Sequence, residues 1–147
     1  MTSRKLLLTL VVLLLAVVVV ARTSADRIKQ PLPSTVQNLA DAKVIEIKDS
    51  AGQVLLRGTF VKTTESKDES EFTAPLDGAG TDAAGKAEIE IETKNAVTKQ
   101  ELEVSATKLP SAASLKLFLD GSELMTFTTN KAGKADIKLS SDYRPKS

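Results

Sequence analysis

The sequence predicts an all-β fold, an antiparallel β-sandwich or a small, partly open barrel, preceded by one hydrophobic N-terminal helix. Three observations carry this. From Lys43 onward apolar and polar residues alternate with a period of two. Turn residues recur between the alternating runs. No stretch after residue 30 keeps a period of 3.6. A strand with this alternation buries one face and wets the other.

The first element is the run LLLTLVVLLLAVVVVA at residues 6–21, preceded by Arg4 and Lys5, with no acidic residue before Asp26. A basic start followed by an apolar run reads as a secretory signal or an uncleaved signal anchor. Its length falls between a signal core of roughly 7–15 residues and a spanning helix of roughly 17–25. Thr23 and Ala25 suit cleavage before Asp26, and Val19 and Ala21 offer a second site. Residues 1–25 are therefore a signal peptide or a signal anchor. In either case the rest of the chain lies outside the cytoplasm, secreted, periplasmic or anchored to the inner membrane. Removing residues 1–25 takes away Arg4, Lys5 and Arg22. Seventeen basic residues then face nineteen acidic ones, about −2.

Residues 26–41 (DRIKQPLPSTVQNLAD) hold two prolines and no strong period, so they read as a linker or stalk. The domain follows at 42–142. Ile45 and Ile47 form the first apolar face, and Val54, Leu56 and Phe60 the next. Ala87, Ile89 and Ile91 follow, then Leu102, Val104 and Ala106, then Leu115, Leu117 and Leu119, and last Ala135, Ile137 and Leu139. Asp120-Gly121 between two apolar runs is the strongest hairpin signal in the chain. Asp49–Gly52 and Asn130–Gly133 read as longer hairpin loops, and Lys94-Asn95 and Leu109–Ser111 as further turns. Residues 62–84 are polar, then Gly/Ala-rich, and read as a long loop, with a short strand around Glu71–Ala74 as the alternative. Residues 143–147 are a tail.

AGKAEIEI at 84–91 and AGKADIKL at 132–139 share five of eight positions, and each follows a comparable hairpin. Either a three-strand meander is duplicated or short strands resemble one another by chance.

Composition narrows the chemistry. The 147 residues contain no Cys, His or Trp, with twenty Lys+Arg against nineteen Asp+Glu. The usual zinc, haem and iron–sulfur ligation and His-dependent nucleophilic catalysis are excluded. Near-neutral charge and few aromatics argue against a nucleic-acid partner. The glycines form no phosphate-binding loop, and Asp77–Asp82 lacks the ligand alternation of a calcium loop. No catalytic, cofactor-binding or metal residue is assigned.

Two surface features remain. Glu88, Glu90 and Glu92 lie on one strand face and Glu101 and Glu103 on the next, with Lys86, Lys94 and Lys99 nearby. A solvated Glu/Lys face explains them, and a carboxylate pair acting on polysaccharide is the alternative. Phe118 points away from Leu115, Leu117 and Leu119. With a two-residue turn, Leu119 pairs with Ser122, Phe118 with Glu123 and Leu117 with Leu124. Phe118, Met125, Phe127 and Phe72 are the candidate partner surface.

Residues 101–140, ELEVSATKLPSAASLKLFLDGSELMTFTTNKAGKADIKLS, resemble uncharacterised bacterial exported β-domain proteins. The shared features are a Glu-rich strand, a Leu-Pro turn, an apolar strand ending in Asp-Gly, a strand ending in Thr and a Gly-x-Ala strand. The resemblance implies an extracytoplasmic β-domain and transfers no catalytic residue. The expected function is a non-enzymatic structural or interaction domain of a bacterial envelope. An envelope protein or polysaccharide is its partner, with no cofactor and membrane contact only through residues 6–21 if uncleaved. The alternatives are a small-ligand carrier, which needs an internal cavity, and the carboxylate-based enzyme.

Overall fold

The computed structural model describes residues 26–144. The N-terminal helix and the cleavage sites lie outside the described residues. The described chain is all-β, 61% strand, and its sheet curls into a half-barrel. Ten strands follow in order: β1 Arg27–Pro31, β2 Val44–Lys48, β3 Val54–Thr59, β4 Val61–Glu65, β5 Glu69–Gly78, β6 Ala84–Lys94, β7 Val97–Thr107, β8 Ser114–Leu119, β9 Ser122–Thr128 and β10 Ala135–Ser140. They form a single sheet in the spatial order β1-β10-β7-β6-β5-β3-β2-β8-β9, with β4 paired to β5. Among the described residues no helix is long and apolar enough to cross a membrane.

Alternation decides which face is buried. Ile45 and Ile47, Leu56, Ala74 and Leu76, Ala87 and Ile89, Leu102 and Val104, Leu115 and Leu117, and Ile137 and Leu139 all point to the inside and pack as one core. Burying a Leu or Ile side chain is worth roughly 1.5–3 kcal/mol, so this face is the main source of stability. Leu39, in a short 3-10 turn at Leu39–Asp41, is fully buried in the same core.

The turns follow their residue chemistry. Asp120 and Gly121 both take positive φ, +49° and +82°, as the two-residue hairpin turn requires. The Asp120 carboxylate also accepts the backbone N–H of Lys43 and Val44, at 3.0 and 2.8 Å, tying this turn to the start of β2. Asn95 and Ala96 close β6 onto β7 with φ +51° and +63°.

Two expectations are corrected. Residues 26–41 are not a linker. Their first part is β1, which pairs in parallel with β10 from Arg27↔Asp136 to Pro31↔Ser140. Leu32 and Val36 in the connection then pack on the core. As an edge strand, β1 places only Ile28 partly inward, so it shows no apolar stripe. Residues 62–84 are not one long loop, and the alternative of a strand around Glu71–Ala74 is present, lengthened to Glu69–Gly78. β4 and β5 occupy most of them, and β5 pairs with β6 along its length, from Glu69↔Glu92 to Asp77↔Ala84. Its inward residues are Phe72, Ala74 and Leu76. Pro75, which has no N–H to give, lies between the stretches of β5 that pair with β3 and β4. After β10 the chain continues in a turn, and residues 145–147 of the tail lie outside the described residues. The Ser141 N–H donates to the Gln100 carbonyl and that of Tyr143 to the Ser140 carbonyl.

The two Ala-Gly-Lys-Ala strands, β6 and β10, flank β7 on either side. They stand two residues out of step against it: Ala87 opposes Val104, whereas Ala135 opposes Ala106.

Candidate functional site

On the outer face β1, β10 and β7 lie side by side, and register sets which side chains meet. Arg27 stands opposite Asp136 and Lys29 opposite Lys138. Lys138 stands opposite Glu103 and Ser140 opposite Glu101. These residues, with Lys99, Asp142 and Tyr143, surround an open cleft of about 290 Å³.

Charges of opposite sign alternate along the cleft. Arg27 Nε lies 3.3 Å from Asp136 Oδ2, and its Nη1 lies 3.5 Å from Glu103 Oε1. Lys138 Nζ bridges Glu103 at 3.2 Å and Glu101 at 2.9 Å. Lys99 Nζ joins Glu101 at 2.6 Å to Asp142 at 3.5 Å. The Ser140 hydroxyl donates to Asp142 Oδ1 at 2.5 Å. The second oxygen of Asp136 is buried without a hydrogen-bond partner.

The Glu101 side chain is 11% exposed. Burial alone would raise its pKa. The ammonium groups of Lys99 and Lys138 outweigh burial and hold the carboxyl below its ordinary range. The same contacts raise both lysines, with the bond to Glu101 the main cause in each. The Ser140 hydroxyl lowers Asp142. Glu90 behaves oppositely. It stands between Glu71 and Glu101 on the neighbouring strands, and burial followed by repulsion from Glu101, Glu69, Glu71 and Glu92 raises its pKa. Two carboxyls of one face are thus shifted in opposite directions, Glu101 down by its lysines and Glu90 up by partial desolvation and neighbouring carboxylates. The cleft is lined by charged groups, most of them already paired with one another.

The Glu/Lys face read from the sequence is assembled as pairs: Lys86 with Glu88, Lys94 with Glu92 at 3.0 Å, and Lys99 with Glu101. No cluster of His, Cys, Asp or Glu among the described residues is arranged to hold a metal ion.

The four residues expected as a partner surface do not come together. Phe118 is on the outer face, half-buried beneath Lys48, whose Nζ lies 4.3 Å from the ring centroid. Met125 and Phe127 are core residues, 8% and 4% exposed. The reason is a β-bulge. Phe118 opposes Glu123 as expected, but Leu117 then opposes Met125 rather than Leu124. One extra residue in β9 turns Met125 and Phe127 inward. Phe72 is also buried, on the inner face of β5. Sequence reasoning missed Arg27, Lys29, Ser140, Asp142 and Tyr143, because Arg27 and Lys29 were placed in a linker, Tyr143 in the tail, and Ser140 and Asp142 at the domain's edge with no partner in view. The alternating charges of Arg27, Lys29, Asp136 and Lys138 were the available signal.

Comparison with family models, with curated proteins and with solved structures returns no match.

Proposed function

We propose that this chain is a non-enzymatic interaction domain of a bacterial envelope. It is exported or anchored by residues 6–21, and it contacts an envelope protein or polysaccharide through the outer face of its sheet. The observation that carries this reading is the use of the two faces. The inner face is spent on the core, where Ile45, Ile47, Leu56, Leu102, Leu115, Leu117, Ile137 and Leu139 pack together. The outer face carries the charged cleft around Glu101. A carrier would need its barrel interior open to a ligand, and the clefts at Glu101 and beside Asp120 both open at the surface. A carboxylate enzyme would need one buried acid of raised pKa, and Glu101 is instead held ionised by Lys99 and Lys138.

The test places a photo-crosslinking residue at Lys29 or at exposed Ala51 in the β2–β3 loop, in the full chain in its native host. Crosslinks to one envelope component from position 29 and not from position 51 are expected. Equal labelling from both positions, or turnover of envelope polysaccharide by the purified chain, would refute the reading. Intact mass in soluble and membrane fractions separates the cleaved form from the anchored one.

A further inference from the structure

The topology fixes which end of the half-barrel adjoins residues 1–25. β1 and β10 run parallel, and β7 runs antiparallel to β10. The start of β1 therefore lies at the same end as the β7–β8 loop (108–113) and the β9–β10 loop (129–134), beside which it sits in the sheet. These two loops are bound into one platform. Leu109 N–H donates to Gly133 O and Ala112 N–H to Asn130 O, both at 3.0 Å. The Ser111 hydroxyl donates to Lys131 O at 2.7 Å, and that of Thr129 to Pro110 O at 2.6 Å.

The platform carries Lys108, Lys131 and Lys134 and no acidic residue. None of the three lysines has a carboxylate partner among the described residues. The other loops at this end carry Asp49, whose Oδ1 accepts the N–H groups of Ala51 and Gln53, and Asp82, and Asp77 is exposed where β5 ends. Asp26 and Arg27 stand at the start of β1.

We propose that this lysine platform rests on an anionic phospholipid surface. The proposal rests on the anchored form of the reading above, in which residues 6–21 stay in the membrane. The chain between residue 21 and residue 26 spans at most about 17 Å when fully extended. Strands β6 and β7, eleven residues each, are roughly 37 Å long. The tether is shorter than the strands, so the platform end faces the bilayer and the β4–β5 and β6–β7 turns face away. Three unpaired ammonium groups at that distance meet phosphate headgroups. Each strengthens contact about fivefold, and the three together on the order of a hundredfold.

The chain has no native Cys, so a single probe can be placed at will. The experiment inserts the full chain into vesicles of phosphatidylglycerol and phosphatidylcholine, or of phosphatidylcholine alone. A fluorophore sits at Ala132→Cys in the platform or at Lys67→Cys in the β4–β5 turn, and the lipids carry a headgroup nitroxide quencher. Strong quenching at position 132 and little at 67 is expected in the anionic vesicles. It should fall in phosphatidylcholine, in high salt, and in the Lys108→Gln/Lys131→Gln/Lys134→Gln variant. Equal quenching at the two positions would overturn the proposal, and so would quenching at 132 that neither salt nor the triple substitution reduces. The salt titration uses the native lysines, so it stands even if the triple variant does not fold. A chain that fails to float with vesicles refutes the anchored reading itself. One that floats without quenching at 132 refutes only the platform contact.

Discussion

Gly133 and Gly52 form a matched pair in which the same substitution should have very different costs. Both have positive φ, +71° and +84°. A Cβ on Gly52 meets nothing within 4 Å, whereas one on Gly133 lies 3.1 Å from the Leu109 carbonyl carbon and closer still to its oxygen. Alanine in the left-handed region costs roughly 1–2 kcal/mol. Its stiffer unfolded chain returns about 0.4–1 kcal/mol. Gly52→Ala should therefore destabilise by about 1 kcal/mol. Gly133→Ala adds the displacement of Leu109. That breaks the Leu109 N–H to Gly133 O bond of 3.0 Å, worth about 1 kcal/mol. It also lifts part of the Leu109 side chain, only 6% exposed, from the core at about 1 kcal/mol or more. The total is about 3 kcal/mol. Urea unfolding followed by far-UV circular dichroism suits a chain without tryptophan. With a slope of about 2 kcal/mol/M, the midpoint of Gly133→Ala should fall about 1 M below that of Gly52→Ala. Equal midpoints would refute the close packing of the two loops.

Leu117→Ala removes a fully buried side chain and should cost about 2–5 kcal/mol. Phe118→Ala, on the outer face beneath Lys48, should cost about 1 kcal/mol, and the same denaturation compares them. Ala96→Gly should stabilise by about 0.5 kcal/mol, read as a higher melting temperature, because Ala96 holds φ +63° in a two-residue turn. Two pH profiles should have opposite signs. The Glu101 carboxyl titrates lower in the folded chain than its ordinary 4.5. Its stabilisation is therefore complete above that value and lost as pH falls through the folded value, and Glu101→Gln should flatten this acid limb. The Glu90 carboxyl titrates above 4.5 when folded, so its charge costs stability at neutral pH. Glu90→Gln should be more stable there, the gain fading as pH falls through the raised value to below 4.5.

Local chemistry made parts of the fold legible in advance. Asp120-Gly121 specifies its turn by itself, and Leu115, Leu117 and Leu119 specify a face by spacing. The β9 bulge was not legible, because a single extra residue leaves the composition unchanged yet reverses Met125 and Phe127. β5 was obscured because its inward residues include small Ala74 and its centre includes Pro75. Its place comes from β6, not from its own propensity. The candidate site was half visible. Glu101 and Glu103 do lie on a charged face, but Glu101 is buried among its lysines rather than solvated as expected. The cations that complete the cleft come from β1 and β10, which only the pairing of distant segments brings together.

The parallel pairing of the first strand with the last has a consequence for how the chain comes into being. Arg27 and Asp136 are 109 residues apart, and the chain is made from its N-terminus at about 5–20 residues per second. β1 therefore waits roughly 5–20 s for its partner to be synthesised. An unpaired apolar strand left that long would recruit other chains. This one carries Arg27, Lys29, Gln30 and Pro31 around a single inward Ile28, a composition that resists premature association. The polarity that disguises β1 as a linker also leaves it little apolar surface with which to associate before β10 is available.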